Sequence, residues 1–301
     1  MDTPENNTLT IRCPAKLNLT LAVGSPRPDG LHPIASIMVA LDFGDDLHLR
    51  RLDSGPSAFT RRFADDAPKA QPIDWPIESD LVFRAHALLE KEVGQTLPIA
   101  CTLDKRIPAG AGLGGGSSDA AGMLVGLRSL FELSVPDDEL LCVSRSLGAD
   151  VAFLVHALIG QRAALVTGVG EIIEPITSLP DLHCVLVFPD GTCPTPAVYR
   201  AFDQAAADRR AAIDDQLIED WSCAHAIPPA YNDLTQAAMA VCPTITATIQ
   251  TINTLGHEPR LTGSGSALFV VVESNAQAVG IAEILNQRNL ATCPARYSSL
   301  S

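Results

Sequence analysis

Between residues 108 and 118 the chain reads Pro108-Ala109-Gly110-Ala111-Gly112-Leu113-Gly114-Gly115-Gly116-Ser117-Ser118. Five of the seven residues from Gly110 to Gly116 are glycine, more than one helix cap needs. Glycine tolerates positive φ and lets a backbone approach a ligand with no Cβ in the way. Asp119-Ala120-Ala121-Gly122-Met123-Leu124-Val125-Gly126-Leu127 follows, with the apolar periodicity of a helix. A helix N-terminus carries unpaired N–H groups and the positive end of a dipole. The run therefore reads as an anion cradle, with phosphate its usual guest. Ser117 and Ser118 stand where they can cap the helix or touch a phosphate or its metal.

Three phosphate loops compete for this run. A P-loop needs G-x-x-x-x-G-K-[ST], and no lysine follows these glycines. Gly110, Gly112 and Gly115 satisfy the dinucleotide fingerprint G-x-G-x-x-G. That fingerprint follows a continuously apolar parallel strand, whereas residues 99–108 alternate apolar and polar, as a strand with one wet face does. The third type is a loop running into a helix in a kinase that has no P-loop.

The 301 residues suffice for one large or two medium domains. Net charge is −14, from 21 basic and 35 acidic residues, which argues against a nucleic-acid partner. The eight cysteines form no C-x-x-C pair, so zinc and thioredoxin-like readings fail and a reducing compartment is expected. The first residues are acidic and polar, unlike a signal peptide. No apolar stretch reaches the roughly 18 residues of a membrane span. The expectation is a cytoplasmic protein without a membrane partner.

Strands are expected over 8–12, 17–23, 37–41 and 46–51, followed by a variable excursion over 52–76 rich in Pro, Asp, Ser and Ala. An amphipathic helix spans 80–92, with Leu81, Val82, Ala85, Leu88 and Leu89 on one face. A strand at 98–104, the glycine run and a helix to about 131 come next. A second helix over 136–147 ends in Gly148-Ala149-Asp150, and 151–159 is apolar. Further strands fall at 163–170, 182–188 and within 261–272. Helices fall at 194–208, 231–241, 243–253 and 276–288. Irregular interleaving of alternating strands with helices indicates α+β.

Four more islands accompany the glycine run. Lys16 and Asn18 are two apart on a strand and share a face among apolar residues. Residues 28–32 form a turn followed by His32. Asp150 sits at a helix end, where a C-terminal carboxylate is unfavourable and asks for another reason. Residues 260–267 form a second turn of glycines and hydroxyls around Gly263 and Ser264.

Taken together the islands resemble the GHMP small-molecule kinases. Within that family they are most similar to the branch whose substrate is a cytidine diphosphate-linked methylerythritol. That branch carries P-A-K-[IL]-N-L, R-P-D-G-Y-H, L-D-x-G-D, K-R-[IL]-P-x-G-[AG]-G-L-G-G-G-S-S, L-G-A-D-V-P-F, G-x-G-E, N-D-L and [ST]-G-[ST]-G-[SA]. Here they correspond, in the same order, to residues 14–19, 27–32, 41–45, 105–118, 147–151, 168–171, 232–234 and 262–267.

The resemblance implies a two-domain α+β GHMP kinase fold. Residues 1–175 would form an ATP-binding domain like ribosomal protein S5 domain 2, and 176–301 a ferredoxin-like domain, with the active site in a cleft between them. It implies phosphoryl transfer from ATP, with Mg²⁺, to the 2-hydroxyl of the cytidyl substrate. Residues 108–118, together with Lys105, would bind the nucleotide. Asp150 would be the general base, and Lys16 would sit beside it and hold it ionised. Asn18, His32, Tyr199, Thr195, Gly263 and Ser264 would bind substrate, with His32 reading the cytosine edge and Tyr199 stacking on it. No residue is assigned to the metal, and a monomer or homodimer is expected.

Three positions depart from the branch. Leu31 replaces the tyrosine before His32, so one wall of the cytosine site loses its π-face, worth about 1–3 kcal/mol in base stacking. Asp80 replaces an asparagine on the adenine side, and Ala152 replaces a proline. The competing readings are a GHMP kinase for another alcohol, a silent nucleotide-binding homologue and a dinucleotide oxidoreductase.

Overall fold

A computed structural model of the chain describes residues 7–205 and 213–299. The first half of the chain runs β1 (Thr8–Asn18), β2 (Thr20–Val23), β3 (Ile34–Arg51), β4 (Ala58–Phe63), α1 (Leu81–Val93), β5 (Ile99–Lys105), α2 (Gly115–Leu130), α3 (Asp137–Arg145) and α4 (Ala149–Leu158). There follow β6 (Ala163–Thr167), β7 (Ile172–Pro175), β8 (Leu182–Phe188), α5 (Thr195–Ala205), α6 (Asp215–Ser222) and β9 (Tyr231–Asn232). The last elements are α7 (Thr235–Val241), α8 (Pro243–Thr254), β10 (Pro259–Leu261), β11 (Leu268–Val272), α9 (Asn275–Asn286) and β12 (Ala291–Tyr297). By contacts the chain divides into two compact units, neither continuous in sequence. One holds the residues up to Ala15, Gly44–Ala109 and Gly114–Gly160; the other holds Lys16–Phe43, Gly110–Leu113 and Gln161 onward.

In the first unit, β5 buries every second residue, with Ile99, Cys101, Leu103 and Lys105 inward. It pairs antiparallel with the second half of β3 and parallel with β4. This one-sided strand, with an antiparallel neighbour, is not the doubly buried parallel strand of a dinucleotide fold. Four helices, α1 to α4, complete the unit. A Cβ on Gly122 of α2 would fall 2.4 Å from the Cys13 sulfur, so only glycine allows this helix so close to β1. Asp80 caps α1 by accepting the Val82 N–H, and Gly94 ends the helix at φ +66°.

In the second unit, four strands form an antiparallel sheet in the order β10-β11-β8-β12. Its chain order, β8, helices, β10, β11, α9, β12, is the ferredoxin-like arrangement that was expected. Val185, Val187, Leu268 and Val270 of the sheet pack with Ile281 and Leu285 of α9 in one core. The first half of β3 pairs with β6, and β6 with β7. β2 pairs antiparallel with β3 and parallel with the two-residue β9.

Several sequence expectations change. The strands expected at 37–41 and 46–51 are one 18-residue strand, β3, because Asp42, Gly44 and Asp45 continue it rather than break it. The excursion over 52–76 contains β4. The helix expected over 231–241 starts at Thr235, after the residues of β9. The helix expected over 136–147 ends at Arg145, and Gly148 at φ +151° starts a new one. Asp150 is therefore in the first turn of α4, not at a helix C-terminus, and its charge suits the positive helix end. The apolar stretch 151–159 is this helix, buried on nearly all sides. β7, α6 and β12 were not anticipated, and residues 206–208 of the helix expected over 194–208 lie outside the described residues.

Candidate active site

The glycine run is stitched in place through its carbonyls. The Lys16 N–H donates to the Leu113 carbonyl at 3.0 Å, Ser266 N–H to Gly110 at 3.1 Å and Ala267 N–H to Ala111 at 3.0 Å. Among the described residues, no N–H from Gly110 to Ser117 donates to a protein acceptor. A segment with the carbonyls of Gly110, Ala111 and Leu113 engaged and its donors open is built to receive an anion. Gly112 has φ +76°, and a Cβ there would lie 2.4 Å from the Thr262 carbonyl, so the run can lie against the second glycine turn only without a side chain.

That turn gathers three expected site residues of the second unit. Lys16 Nζ donates to Asn18 Oδ1 at 2.5 Å, and Asn18 Nδ2 donates to Ser36 Oγ at 2.8 Å. The Asn18 N–H donates to Thr262 Oγ1 at 3.0 Å. A Cβ on Gly263 would come within 3.1 Å of Lys16 Nζ and 3.3 Å of Asn18 Oδ1. Lys16 and Asn18 are buried, their direction fixed by the strand parity that the sequence displayed. Asn232 holds the turn from behind, donating to the carbonyls of Leu261 and Gly263, each at 3.0 Å. Ser264 and Thr195 share a hydroxyl hydrogen bond of 2.9 Å.

Within the first unit, among the expected site residues, lie 108–109 and 114–118 and also Asp150, which is half-buried in the opening turn of α4. Ser117 is half-buried and Ser118 fully buried, its hydroxyl donating to the Pro14 carbonyl at 2.7 Å. The Ala109 N–H donates to Gln71 Oε1 at 3.0 Å. Lys105 points inward from β5 into a buried cluster. Its ammonium donates to Asp45 Oδ2 at 2.7 Å and to Asp119 Oδ2 at 2.5 Å. Asp45 also accepts the N–H groups of Arg106 and Ile107, where the chain enters the glycine run. Burial pushes the Lys105 amine down, but the two carboxylates more than offset it and raise it above its ordinary value. Burial, aided by Asp45, pushes the Asp119 carboxyl well up against the pull of Lys105.

His32 and Tyr199 come together with ring centroids 5.0 Å apart. The Nδ1–H of His32 donates to the Gly24 carbonyl at 2.9 Å. Leu31 next to it is 53% exposed. Asp80, the residue that departs from the family's asparagine, is engaged internally: it accepts from Arg61 at 2.8 Å, from the Trp75 indole at 2.9 Å and from Val82.

Residues absent from the sequence-derived site are Asp45, Asp119, Thr262, Ser36 and Asn232. Asp45, Asn232 and Thr262 stood inside recognised islands without a role. The partners of Asp45 lie 60 residues and more away in sequence, a pairing that no local pattern reveals.

The model of the GHMP kinases N terminal domain matches residues 80–158. The 4-diphosphocytidyl-2-C-methyl-D-erythritol kinase of Polynucleobacter asymbioticus is 34% identical over 95% of this chain and 91% of its own. The chain belongs to the GHMP kinase family. A relative of the same description from Caulobacter sp. strain K31 is 38% identical over 91% of this chain and 92% of its own. A crystal structure of 4-(cytidine 5'-diphospho)-2C-methyl-D-erythritol kinase superposes with a TM-score of 0.75 at 31% identity, covering 96% of this chain and 99% of that one. As a member of this family the chain is a small-molecule kinase with ATP as phosphate donor, in a GHMP kinase fold. Among the described residues no helix is long and apolar enough to cross a membrane.

Proposed function

We propose that the chain transfers the γ-phosphoryl group of ATP to the 2-hydroxyl of 4-diphosphocytidyl-2-C-methyl-D-erythritol, a step of the methylerythritol phosphate route to isopentenyl diphosphate. The observation that carries the reading is the row of open N–H groups from Gly110 to Ser117, on a loop held by its Gly110, Ala111 and Leu113 carbonyls. Phosphoryl transfer needs positioning and neutralisation of charge more than covalent help from the protein. The N–H row receives the phosphates of ATP. Asp150 takes the proton of the attacking hydroxyl as its oxygen bonds to the γ-phosphorus and the bond to ADP breaks. Lys16 supplies positive charge at the transferring group, and Asn18, which accepts from Lys16, orients the alcohol. His32 and Tyr199 receive the cytosine, with Thr195, Gly263 and Ser264 along the substrate.

Mg²⁺ belongs to the reading as an ion carried on the ATP phosphates, where it would neutralise charge. Such ions keep waters and few protein ligands. The described residues contain no group of three or more His, Cys, Asp or Glu suited to a metal, so no side chain is assigned to it. The reading keeps 1–175 and 176–301 as the functional domains, and a cytoplasmic monomer or homodimer acting without nucleic acid.

The test is ADP release by the purified protein with ATP, Mg²⁺ and the cytidyl substrate, beside mevalonate, homoserine and a no-substrate control. Turnover with the cytidyl substrate alone is expected. Leu31 motivates the second reading, a GHMP kinase for a different alcohol, which faster turnover of mevalonate or homoserine would favour.

A further inference from the structure

His32 has a partner at each ring nitrogen. Nδ1 faces the Gly24 carbonyl at 2.9 Å, an atom that can only accept, so Nδ1 carries a proton. Nε2 lies 3.5 Å from Asp203 Oδ2. That contact is attractive when Nε2 is protonated as well. The His32 side chain is 6% exposed, so neither nitrogen is an open edge. Its ring also meets Phe202, with centroids 6.1 Å apart, besides Tyr199.

Three of these partners come from one helix. Tyr199, Phe202 and Asp203 are spaced i, i+3 and i+4 on α5, so they share a face. Thr195, one turn earlier on that face, is bonded to Ser264 of the second glycine turn. The face of α5 thus grips the ring of a histidine that lies 167 residues or more away in sequence, between the 27–31 turn and β3. Asp203 is the one charged member of the grip. Its side chain is 35% exposed, so it is not a core ion pair on which the fold depends.

We propose that Asp203 is a positioning residue for the base end of the substrate: by fixing the His32 ring against Tyr199 it sets the surface on which the base lies. The inference rests on the reading that His32 and Tyr199 receive the cytosine. It refines that reading, because with both nitrogens engaged His32 works as a fixed strut rather than as a free imidazole edge. Leu31 gives the position added weight. With an aliphatic side chain on the turn, the hold on the base falls more heavily on Tyr199, and hence on the ring packed against it.

Asp203→Ala and Asp203→Asn test this, with steady-state kinetics, inhibition by cytidine monophosphate and by ADP, and thermal melting. In Asp203→Ala the KM for the cytidyl substrate and the inhibition constant of cytidine monophosphate are expected to rise together by about tenfold, equivalent to ~1.4 kcal/mol. The kcat, the KM for ATP, the inhibition constant of ADP and Tm are expected to hold. Asp203→Asn should recover part of the loss, since its amide can still bond Nε2 through either its oxygen or its NH2 group. Unchanged KM and cytidine monophosphate inhibition in Asp203→Ala would overturn the proposal. So would a fall in kcat, in ATP affinity or in Tm of the same size, which would mark a general structural role. A wild-type protein that neither turns over the cytidyl substrate nor binds cytidine monophosphate would defeat the parent reading, a result distinct from the other two.

Discussion

Asp150 and Lys105 mark the two ways in which a charged residue serves this protein. Asp150 stands half-buried at the positive end of α4. Asp150→Asn keeps the shape and removes the base; the expected outcome is an unchanged Tm with kcat down by at least about 10²-fold, the low end for a general base. Near-full activity would exclude Asp150 from the chemistry. Lys105 is held by Asp45 and Asp119 in a site from which water is excluded. Lys105→Met leaves two carboxylates buried without their cation, and a loss of about 3–5 kcal/mol in urea unfolding is expected. If Lys105 served only the nucleotide, stability would hold and the KM for ATP alone would rise. The sequence made one half of this legible. Alternation along 99–105 puts Lys105 on the same face as Ile99, Cys101 and Leu103, and parity pairs Lys16 with Asn18. It was silent on what those faces meet, because Asp45, Thr262 and Asp203 arrive from distant parts of the chain.

At the scale of elements, caps and close contacts decide where helices begin and how near they come. Asp80 caps α1 and collects Arg61 and Trp75. Burial alone would raise its carboxyl, but the Trp75 indole, the Arg61 guanidinium and the Val82 N–H outweigh burial and hold it below the ordinary range. The sign follows: its contribution to stability is complete above the unfolded value of about 3.9 and is lost as pH falls through the depressed folded value. Asp80→Ala is expected to cost about 1–3 kcal/mol near neutral pH, with the gap to wild type closing in acid, as read by urea titration across pH. A gap independent of pH would show that the charge of Asp80 is not what matters. Gly122→Ala places a methyl against Cys13 and is expected to cost about 1–3 kcal/mol by overpacking, measured the same way. Helices with one apolar face, such as α1 and α9, were readable from periodicity. The buried α4 was not, since a segment apolar all round has no moment to read. The brief strands β7 and β9, at four and two residues, carry too little alternation to register.

For the whole molecule, the order of short islands carried the reading further than any pattern of elements did. Each island is a point where backbone must approach backbone or a ligand, as at Gly112 against Thr262, and such points tolerate few residue types. The α+β class and the antiparallel β10-β11-β8-β12 sheet agree with that expectation. The contact units do not follow the linear order of the chain, because β1 and β3 each contribute residues to both. No composition shift announces such sharing. Phosphorus NMR of the complete reaction tests the proposed phosphoryl transfer most directly. With ATP, Mg²⁺ and the cytidyl substrate, the expected result is a new monophosphate-ester resonance on a product that keeps its diphosphate, with ADP formed in equal amount and both at least about 10²-fold more slowly with Asp150→Asn. Free phosphate without that ester, or an unchanged ATP spectrum, would contradict it.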